Sequence, residues 1–213
     1  MAATGPTLAL VTDLAGELDQ ERTRVAALQI AEEADPTQIA DLVGLLSDRD
    51  KSIRRVTGYM VGGIADPRPD LFLPHVPALI AVTKIGTGPA VWEAQYVLSA
   101  VAALDPPALA PYLETIAESF DGDSVIARDN AVRILARLAT LEDTRPAAMR
   151  ALCHALRTAP VNQLPMYAEK VAPVVRPEDS DIIRSILTDR LSEISQSAKI
   201  RRIESVLRKL PDQ

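Results

Sequence analysis

The feature that most constrains the fold is a pattern of apolar residues that occurs six times along the chain. In the segment from Ile53 to Pro67, IRRVTGYMVGGIADP, the pattern is centred on Thr57, which we number position zero. Ile53, Met60, Val61 and Ile64 then fall at positions −4, +3, +4 and +7. Residues at this spacing share one face of an α-helix. These five positions are called the stripe of a repeat below.

The six stripes are regularly spaced, as is typical of a repeat protein. They are centred on residues 27, 57, 94, 131, 168 and 203, so successive centres are 30, 37, 37, 37 and 35 residues apart. Most of the central residues are small and allow close packing: Ala27, Thr57, Ala94, Ala131 and Ala168. A helix pair cannot bury its apolar face alone, whereas stacked pairs share one core. We therefore predict an all-α fold, a right-handed α-solenoid of about six antiparallel helix pairs.

Each stripe is assigned to the second helix of its pair, the B helix, and the segment before it to the A helix. The A helices are predicted at about residues 6–18, 36–47, 72–85, 107–120, 145–158 and 179–194. The pairs then span about residues 6–34, 36–65, 72–104, 107–140, 145–175 and 179–210. Pro165 and Pro173 both fall within the pattern of the fifth B helix, so this helix is expected to be short, kinked or broken near Pro173. No linker separates the pairs, so we expect one domain over residues 1–213.

Composition and charge exclude several classes of protein. Hydrophobic residues make up 47% of the chain but aromatic residues only 3%, which suits closely stacked helices. The net charge of −6 argues against nonspecific binding of nucleic acid, which depends on neutralising phosphates. The single cysteine, Cys153, cannot form an internal disulfide, and no apolar run approaches the roughly 20 residues that span a bilayer. The first residues lack the basic region of a signal peptide, so we expect a cytoplasmic protein with no membrane contact.

The paired helices resemble those of the HEAT-repeat family, over about residues 6–210. The resemblance rests on the stripe and on Asp48-x5-Arg54, which is similar to the family's aspartate in the turn between the helices and arginine at the start of the B helix. Val91 and Pro165 replace that arginine in the third and fifth repeats, and the period of 37 is shorter than the roughly 40–47 residues of HEAT and armadillo repeats. A continuous Asp–Arg ladder is therefore not expected.

The side of each B helix opposite the stripe, at positions −2, +2 and +5, is the candidate binding surface. In HEAT-like arrays the B helices line the concave face, which the resemblance implies here too. Aromatic residues beside arginine are typical of binding hot spots. An alternative is that the aromatic residues only pack against neighbouring B helices. The candidate partner-binding residues are Arg55, Tyr59, Trp92, Tyr96, Asp129, Arg133 and Lys170.

These residues suggest a noncatalytic scaffold or adaptor that binds a protein or peptide carrying apolar and acidic groups, without a cofactor. The alternative is a HEAT-like DNA-binding protein or alkylpurine DNA glycosylase. Trp92 and Arg133 resemble the tryptophan and arginine of the glycosylase cleft. However, Tyr96 stands where a carboxylate would be required, and Asp129 is the nearest acid on that side.

Other chemical motifs are sparse. Cys153 and His154 are adjacent, but neighbours on a helix do not face each other, so Cys153 is expected in the core. No Cys or carboxylate spacing completes a zinc site around either histidine. Gly58, Gly62 and Gly63 lack the P-loop pattern and indicate either close helix packing or room for a ligand.

Overall fold

The structure is a computed structural model, and it describes residues 5–17, 19–86, 88–120, 122 and 124–212. Within those ranges the chain forms twelve α-helices and four 3-10 helices, with no β-strand. The contacts divide the chain into two compact units, which meet in sequence between Tyr112 and Leu113. Each unit is described separately, and the expectation of one domain stays a prediction.

The first unit contains three pairs of helices in two layers. α2, α4 and α6 form the layer of B helices, with α4 packed between α2 and α6. α1 and α3 pack against α4, and α5 packs against α6, so these helices form the second layer. The helices are α1 (Pro6–Glu17), α2 (Gln20–Glu33), α3 (Pro36–Leu45), α4 (Lys51–Ala65), α5 (Val76–Thr83) and α6 (Pro89–Leu104), with 3-10 helices at Pro69–His75 and Pro106–Tyr112.

The second unit has the same two-layer plan. α10 packs against both α8 and α12 in the layer of B helices, and α9 packs against α8 and α11. The helices are α7 (Leu113–Ala117), α8 (Val125–Leu138), α9 (Arg145–Thr158), α10 (Leu164–Val171), α11 (Pro177–Leu191) and α12 (Ser197–Leu207), with 3-10 helices at Glu118–Phe120 and Ala172–Val174.

The apolar stripes form the cores of both units. All six fall on the predicted B helices or their ends, and none of their positions is exposed. The half-buried positions are Ala34, Ile53, Ala172, Lys199 and Leu207, and the others are buried. Lys199 takes a stripe position at the end of the array, where its Nζ donates a hydrogen bond to Oδ1 of Asn162.

Two of the predicted A helices are not continuous α-helices. The segment predicted as 72–85 begins as a 3-10 helix with Pro74 inside it and becomes α-helical only at Val76. The segment predicted as 107–120 contains only the five-residue α7, with 3-10 helices before and after it. Pro74 and Pro111 lack the amide hydrogen that an α-helix interior requires, which accounts for the tighter turns.

The ends of the B helices follow the sequence closely. α10 stops at Val171 and continues as a 3-10 helix around Pro173, which confirms the predicted break.

The Asp48–Arg54 pair differs from the HEAT pattern, because the Arg54 guanidinium donates to the main-chain carbonyls of Asp48 and Arg49, at 2.6 and 3.1 Å. The Asp48 carboxylate instead accepts the amide of Asp50 at 2.8 Å. No helix in the described ranges has both the length and the apolar character needed to cross a bilayer.

Candidate functional site

The glycines of α4 fix how closely α4 and α6 approach. A Cβ atom on Gly58 would lie 3.1 Å from the Cα of Ala90, and one on Gly62 would collide with Oε2 of Glu93. One turn further along α4, Asp66 accepts a hydrogen bond from the hydroxyl of Tyr96. Residues further along α4 thus contact residues further along α6, so the two helices run parallel. Gly58 and Gly62 therefore serve close helix packing, and Gly62, which the pattern placed on the free side, is buried.

Arg55 and Tyr59 lie on the predicted free side of α4. Arg55 is exposed and Tyr59 is half-buried. The guanidinium carbon of Arg55 lies 5.8 Å from the centre of the Tyr59 ring, a cation–π arrangement. Arg55 has no carboxylate partner among the described residues, so the ring orients the guanidinium without neutralising its charge.

Trp92 lies at the same level of the helix pair as Tyr59, because Gly58 faces Ala90 and Glu93. Its side chain is half-buried. The indole Nε1 atom is buried and has no hydrogen-bond partner within the described ranges. Buried indole N–H groups are usually paired. The part of Trp92 that reaches the surface therefore does not include its indole N–H group. Arg55, Tyr59, Trp92 and Tyr96 are together called the aromatic surface.

Tyr96 makes a hydrogen bond within the protein that its position on the predicted free side of α6 does not indicate. It is half-buried, and its bond to Asp66 joins α6 to the end of α4. Glu93 lies one turn before it and is also half-buried. Burial, and secondarily the charge of Asp66, raises the pKa of the Glu93 carboxyl above its ordinary value. Tyr96 therefore contributes to packing as well as to the free surface.

In the second unit, Asp129 is held by a residue that the sequence did not single out. Its carboxylate accepts a hydrogen bond of 2.9 Å from the hydroxyl of Tyr167, which is buried on α10. Burial raises the pKa of Asp129, while the bond from Tyr167 and the charge of Arg133 act in the opposite direction. Burial and the neighbouring Asp129 also raise the pKa of Tyr167. Asp129 therefore links α8 to α10.

Arg133 and Lys170 remain available on the second unit. Both side chains are exposed, and neither has an ion-pair partner among the described residues. By contrast, Arg202 on the last helix forms a two-pronged pair with Glu169, with both N–O distances 2.7 Å. Arg133 and Lys170 are thus positive groups of the second unit that a partner could neutralise.

The catalytic alternatives gain no geometric support. Asp129, the acid that the glycosylase hypothesis would require, is engaged with Tyr167. Cys153 is buried, as expected, and burial raises the pKa of its thiol. His154 is exposed, and its ring contacts the edge of Phe120 at 6.4 Å between ring centres. In the described ranges no group of three or more His, Cys, Asp or Glu side chains is placed to hold a metal ion.

Sequence reasoning missed Asp66, Glu93 and Tyr167. Glu93 and Tyr167 each lie one position before a stripe centre, and Asp66 lies beyond the end of α4, so none belongs to the positions considered free. Gly62 is a signal for Glu93, because a glycine leaves room for a large side chain from the next B helix. Nothing comparable marks Tyr167.

Several solved structures are similar to this chain over nearly its whole length. A computationally designed armadillo repeat protein for modular peptide recognition has a TM-score of 0.64 at 15% identity, covering 95% of this chain and 99% of that one. Another designed armadillo repeat protein has a TM-score of 0.60 at 15% identity, with the same coverage. An engineered protein has a TM-score of 0.63 at 18% identity, covering 97% of this chain and 98% of that one.

These likenesses establish the fold. Together with the twelve helices they confirm the prediction of an all-α solenoid built from helical repeats. Two of these three structures are armadillo repeat proteins, and the narrower HEAT resemblance stays a prediction. No protein-family model and no curated protein sequence matches the chain.

Proposed function

We propose that this protein is a noncatalytic module that binds a peptide or protein partner on the free side of its B helices. The aromatic surface of α4 and α6 is the principal contact. The observation that carries the proposal is the exposed guanidinium of Arg55, which lies over the ring of Tyr59 and has no ion-pair partner in the described ranges. A peptide carbonyl or carboxylate is the natural acceptor for this group.

The mechanism is preorganisation. Tyr59 and Trp92 lie on helices whose separation is fixed by Gly58, and the bond from Tyr96 to Asp66 joins the same two helices. Rigid aromatic groups lose little conformational entropy on binding, and a binding surface on helices requires no loop to become ordered. Binding free energy is then not spent on ordering the site.

Arg133 and Lys170 supply the corresponding charges on the second unit. Since both are exposed and unpaired among the described residues, they favour a partner that carries carboxylates. The armadillo repeat protein designed for modular peptide recognition supports the same class of ligand, because its fold is similar to that of this chain. Neither a nucleic acid nor a membrane is proposed as a partner.

The test is selection of peptides from a random twelve-residue phage library against the full chain, followed by affinity measurements with variants. Trp92→Ala is expected to weaken binding of a selected peptide by about thirtyfold, the effect of losing a hot-spot residue. Trp92→Phe keeps an aromatic ring but reduces its contact area, and is expected to weaken binding less, about three- to tenfold.

Tyr112→Ala is the matched control, because Tyr112 is also half-buried but lies outside the aromatic surface. It should leave peptide affinity unchanged. If Trp92→Ala lowers the melting temperature but leaves affinity intact, the aromatic residues serve only for packing. Failure to select any peptide would also contradict the proposal.

A further inference from the structure

A cleft opens in the first unit where α4 and α6 begin. Its volume is about 420 Å³. Its lining includes Lys51, Arg54 and Arg55 from α4, Val91 from α6, and Ile85 from the segment before α6. The first turns of two parallel helices meet here. The carboxylate of Asp50 caps α4, whereas Gly88 precedes α6 without providing a side-chain cap, so the dipole of α6 adds to the positive potential that the three basic side chains create. Of these lining residues, only Arg55 also belongs to the aromatic surface.

The basic side chains of the cleft are not neutralised by the protein itself. Lys51 and Arg55 are exposed and form no ion pair with any described residue. Arg54 uses one nitrogen for two main-chain carbonyls, which fixes its guanidinium at the cleft wall without removing its charge. The one lining acid, Asp48, accepts the amide of Asp50 within its own turn. The lining therefore has an excess of positive charge.

The cleft also offers an apolar contact. Ile85 is 59% exposed, the largest exposed fraction among the big apolar side chains of the described residues. It precedes Gly86 and Gly88, whose φ angles of 139° and 135° are readily adopted only by glycine. An exposed isoleucine beside unpaired cations suits a ligand that carries an apolar group next to an anionic one.

Arg55 connects the cleft to the aromatic surface. It lines the cleft and at the same time lies over the ring of Tyr59. A chain lying along Tyr59 and Trp92 would therefore reach the cleft through Arg55. This continuity distinguishes the cleft from an isolated basic patch.

We infer that the cleft is a subsite for a carboxylate side chain of an acidic peptide, with Lys51 and Arg55 as the anion-binding groups and Ile85 as the contact for a neighbouring apolar side chain. The inference rests on the proposed function, since it assigns part of the same ligand to a second place. The partner is thus an acidic peptide segment in which a carboxylate side chain lies next to an apolar one. The cations favour this chemistry by charge complementarity.

The test is an NMR titration of the ¹⁵N-labelled full chain with an acetylated, amidated peptide probe, Glu-Leu-Glu-Leu-Glu. We expect saturable shifts at the amides of Lys51, Arg55 and Ile85. The Gln-Leu-Gln-Leu-Gln probe should shift them much less, because it lacks the carboxylates. Trp92 is the only tryptophan, so its indole N–H resonance reports separately on the aromatic surface.

Lys51→Glu should reduce the affinity of the acidic probe about three- to tenfold, as expected for reversing one partly exposed charge. The variant should fold, because an acidic residue in the first turn of a helix is favourable. Arg49→Glu is the matched control: it makes the same charge change two residues earlier, at an exposed position outside the lining. It should weaken binding clearly less than Lys51→Glu does, because its side chain does not line the cleft.

The two proposals fail in different ways. If the probe shifts the Trp92 indole but leaves the cleft amides unmoved, the cleft is not a subsite while the proposed function stands. If the cleft amides move and the indole does not, the subsite stands without the aromatic surface. Equal effects of Lys51→Glu and Arg49→Glu would overturn the subsite. So would stronger shifts of the cleft amides with a five-nucleotide oligothymidine, which would identify a nucleic-acid site instead.

Discussion

The carboxylate of Glu93 occupies the space that Gly62 leaves on α4, close to a second acid, Asp66. Burial, and then the charge of Asp66, raises the pKa of Glu93 above the reference value of 4.5. Its pKa is therefore higher in the folded protein than in the unfolded chain. The folded state binds the extra proton, so stability from this group is present below the unfolded pKa and is lost as pH rises through the folded pKa.

Replacing Glu93 by Gln should remove this loss while keeping the shape of the side chain. We expect Glu93→Gln to be more stable than the natural protein at about pH 7 and equally stable at about pH 4, where the natural carboxyl is protonated. Thermal unfolding across this range measures the difference. Glu32→Gln, at an exposed position of α2, is the control. If the stability of the natural protein and that of Glu93→Gln depend on pH in the same way, the pKa of Glu93 is not raised in the folded protein.

At the residue scale, the sequence predicted which side chains reach the surface better than it predicted their hydrogen-bond partners. Arg55, Arg133 and Lys170 are exposed and Tyr59 and Trp92 half-buried, because helical periodicity alone decides which side chains leave the core. The bonds from Tyr96 to Asp66 and from Tyr167 to Asp129 join residues 30 and 38 apart. They depend on how far one B helix slides along the next, and the stripe pattern does not determine that distance.

At Gly58 the packing of α4 on α6 leaves little room for a methyl group. At Gly58, a Cβ atom would lie 3.1 Å from the Cα of Ala90, so the two helix backbones would have to separate. In an open helical position, replacing glycine by alanine gains about 1 kcal/mol from helix propensity. At Gly58 the clash should outweigh this gain, since overpacking typically costs about 1–3 kcal/mol.

We therefore expect Gly58→Ala to lower the free energy of unfolding by about 1 kcal/mol, measured by urea denaturation. Gly44→Ala is the matched control, because a Cβ atom at Gly44 in α3 meets nothing within 4 Å. It should raise stability by up to about 1 kcal/mol. Stabilisation by both substitutions would show that α4 and α6 can move apart freely.

At the scale of elements, the B helices were the more predictable half of each pair. Their stripes are long and periodic, and only the proline at position 173 interrupts them, at the place expected. The third and fourth A segments carry Pro74 and Pro111 inside them and become partly 3-10 helical. Apolar spacing identified these segments as helical, but the type of helix was decided locally by the missing proline amides.

At the scale of the whole molecule, charge is unevenly distributed along the chain. Residues 1–50 contain ten acids and three bases, a balance of −7, whereas residues 195–213 contain five bases and two acids, a balance of +3. The bases of the cleft directly follow this acidic segment, and they belong to a first unit, Met1–Tyr112, that contains fourteen acids and eight bases in its sequence. A ligand with a few well-placed carboxylates can use such a site, whereas a long polyanion would also meet the surrounding acids.

This distribution predicts that the protein does not bind nucleic acid nonspecifically. Nonspecific complexes with DNA typically have a Kd of about 10⁻⁴ to 10⁻⁶ M at physiological salt, owing to cations that neutralise several phosphates. With a net charge of −6, we expect a Kd weaker than about 10⁻⁴ M for a fluorescein-labelled duplex of about 20 base pairs at physiological salt. Fluorescence anisotropy measures this directly, and a Kd of about 10⁻⁶ M that weakens steeply with added salt would favour the DNA-binding alternative instead. In that case, loss of base excision in Asp129→Asn would be the next measurement, because Asp129 is the acid that the glycosylase hypothesis requires.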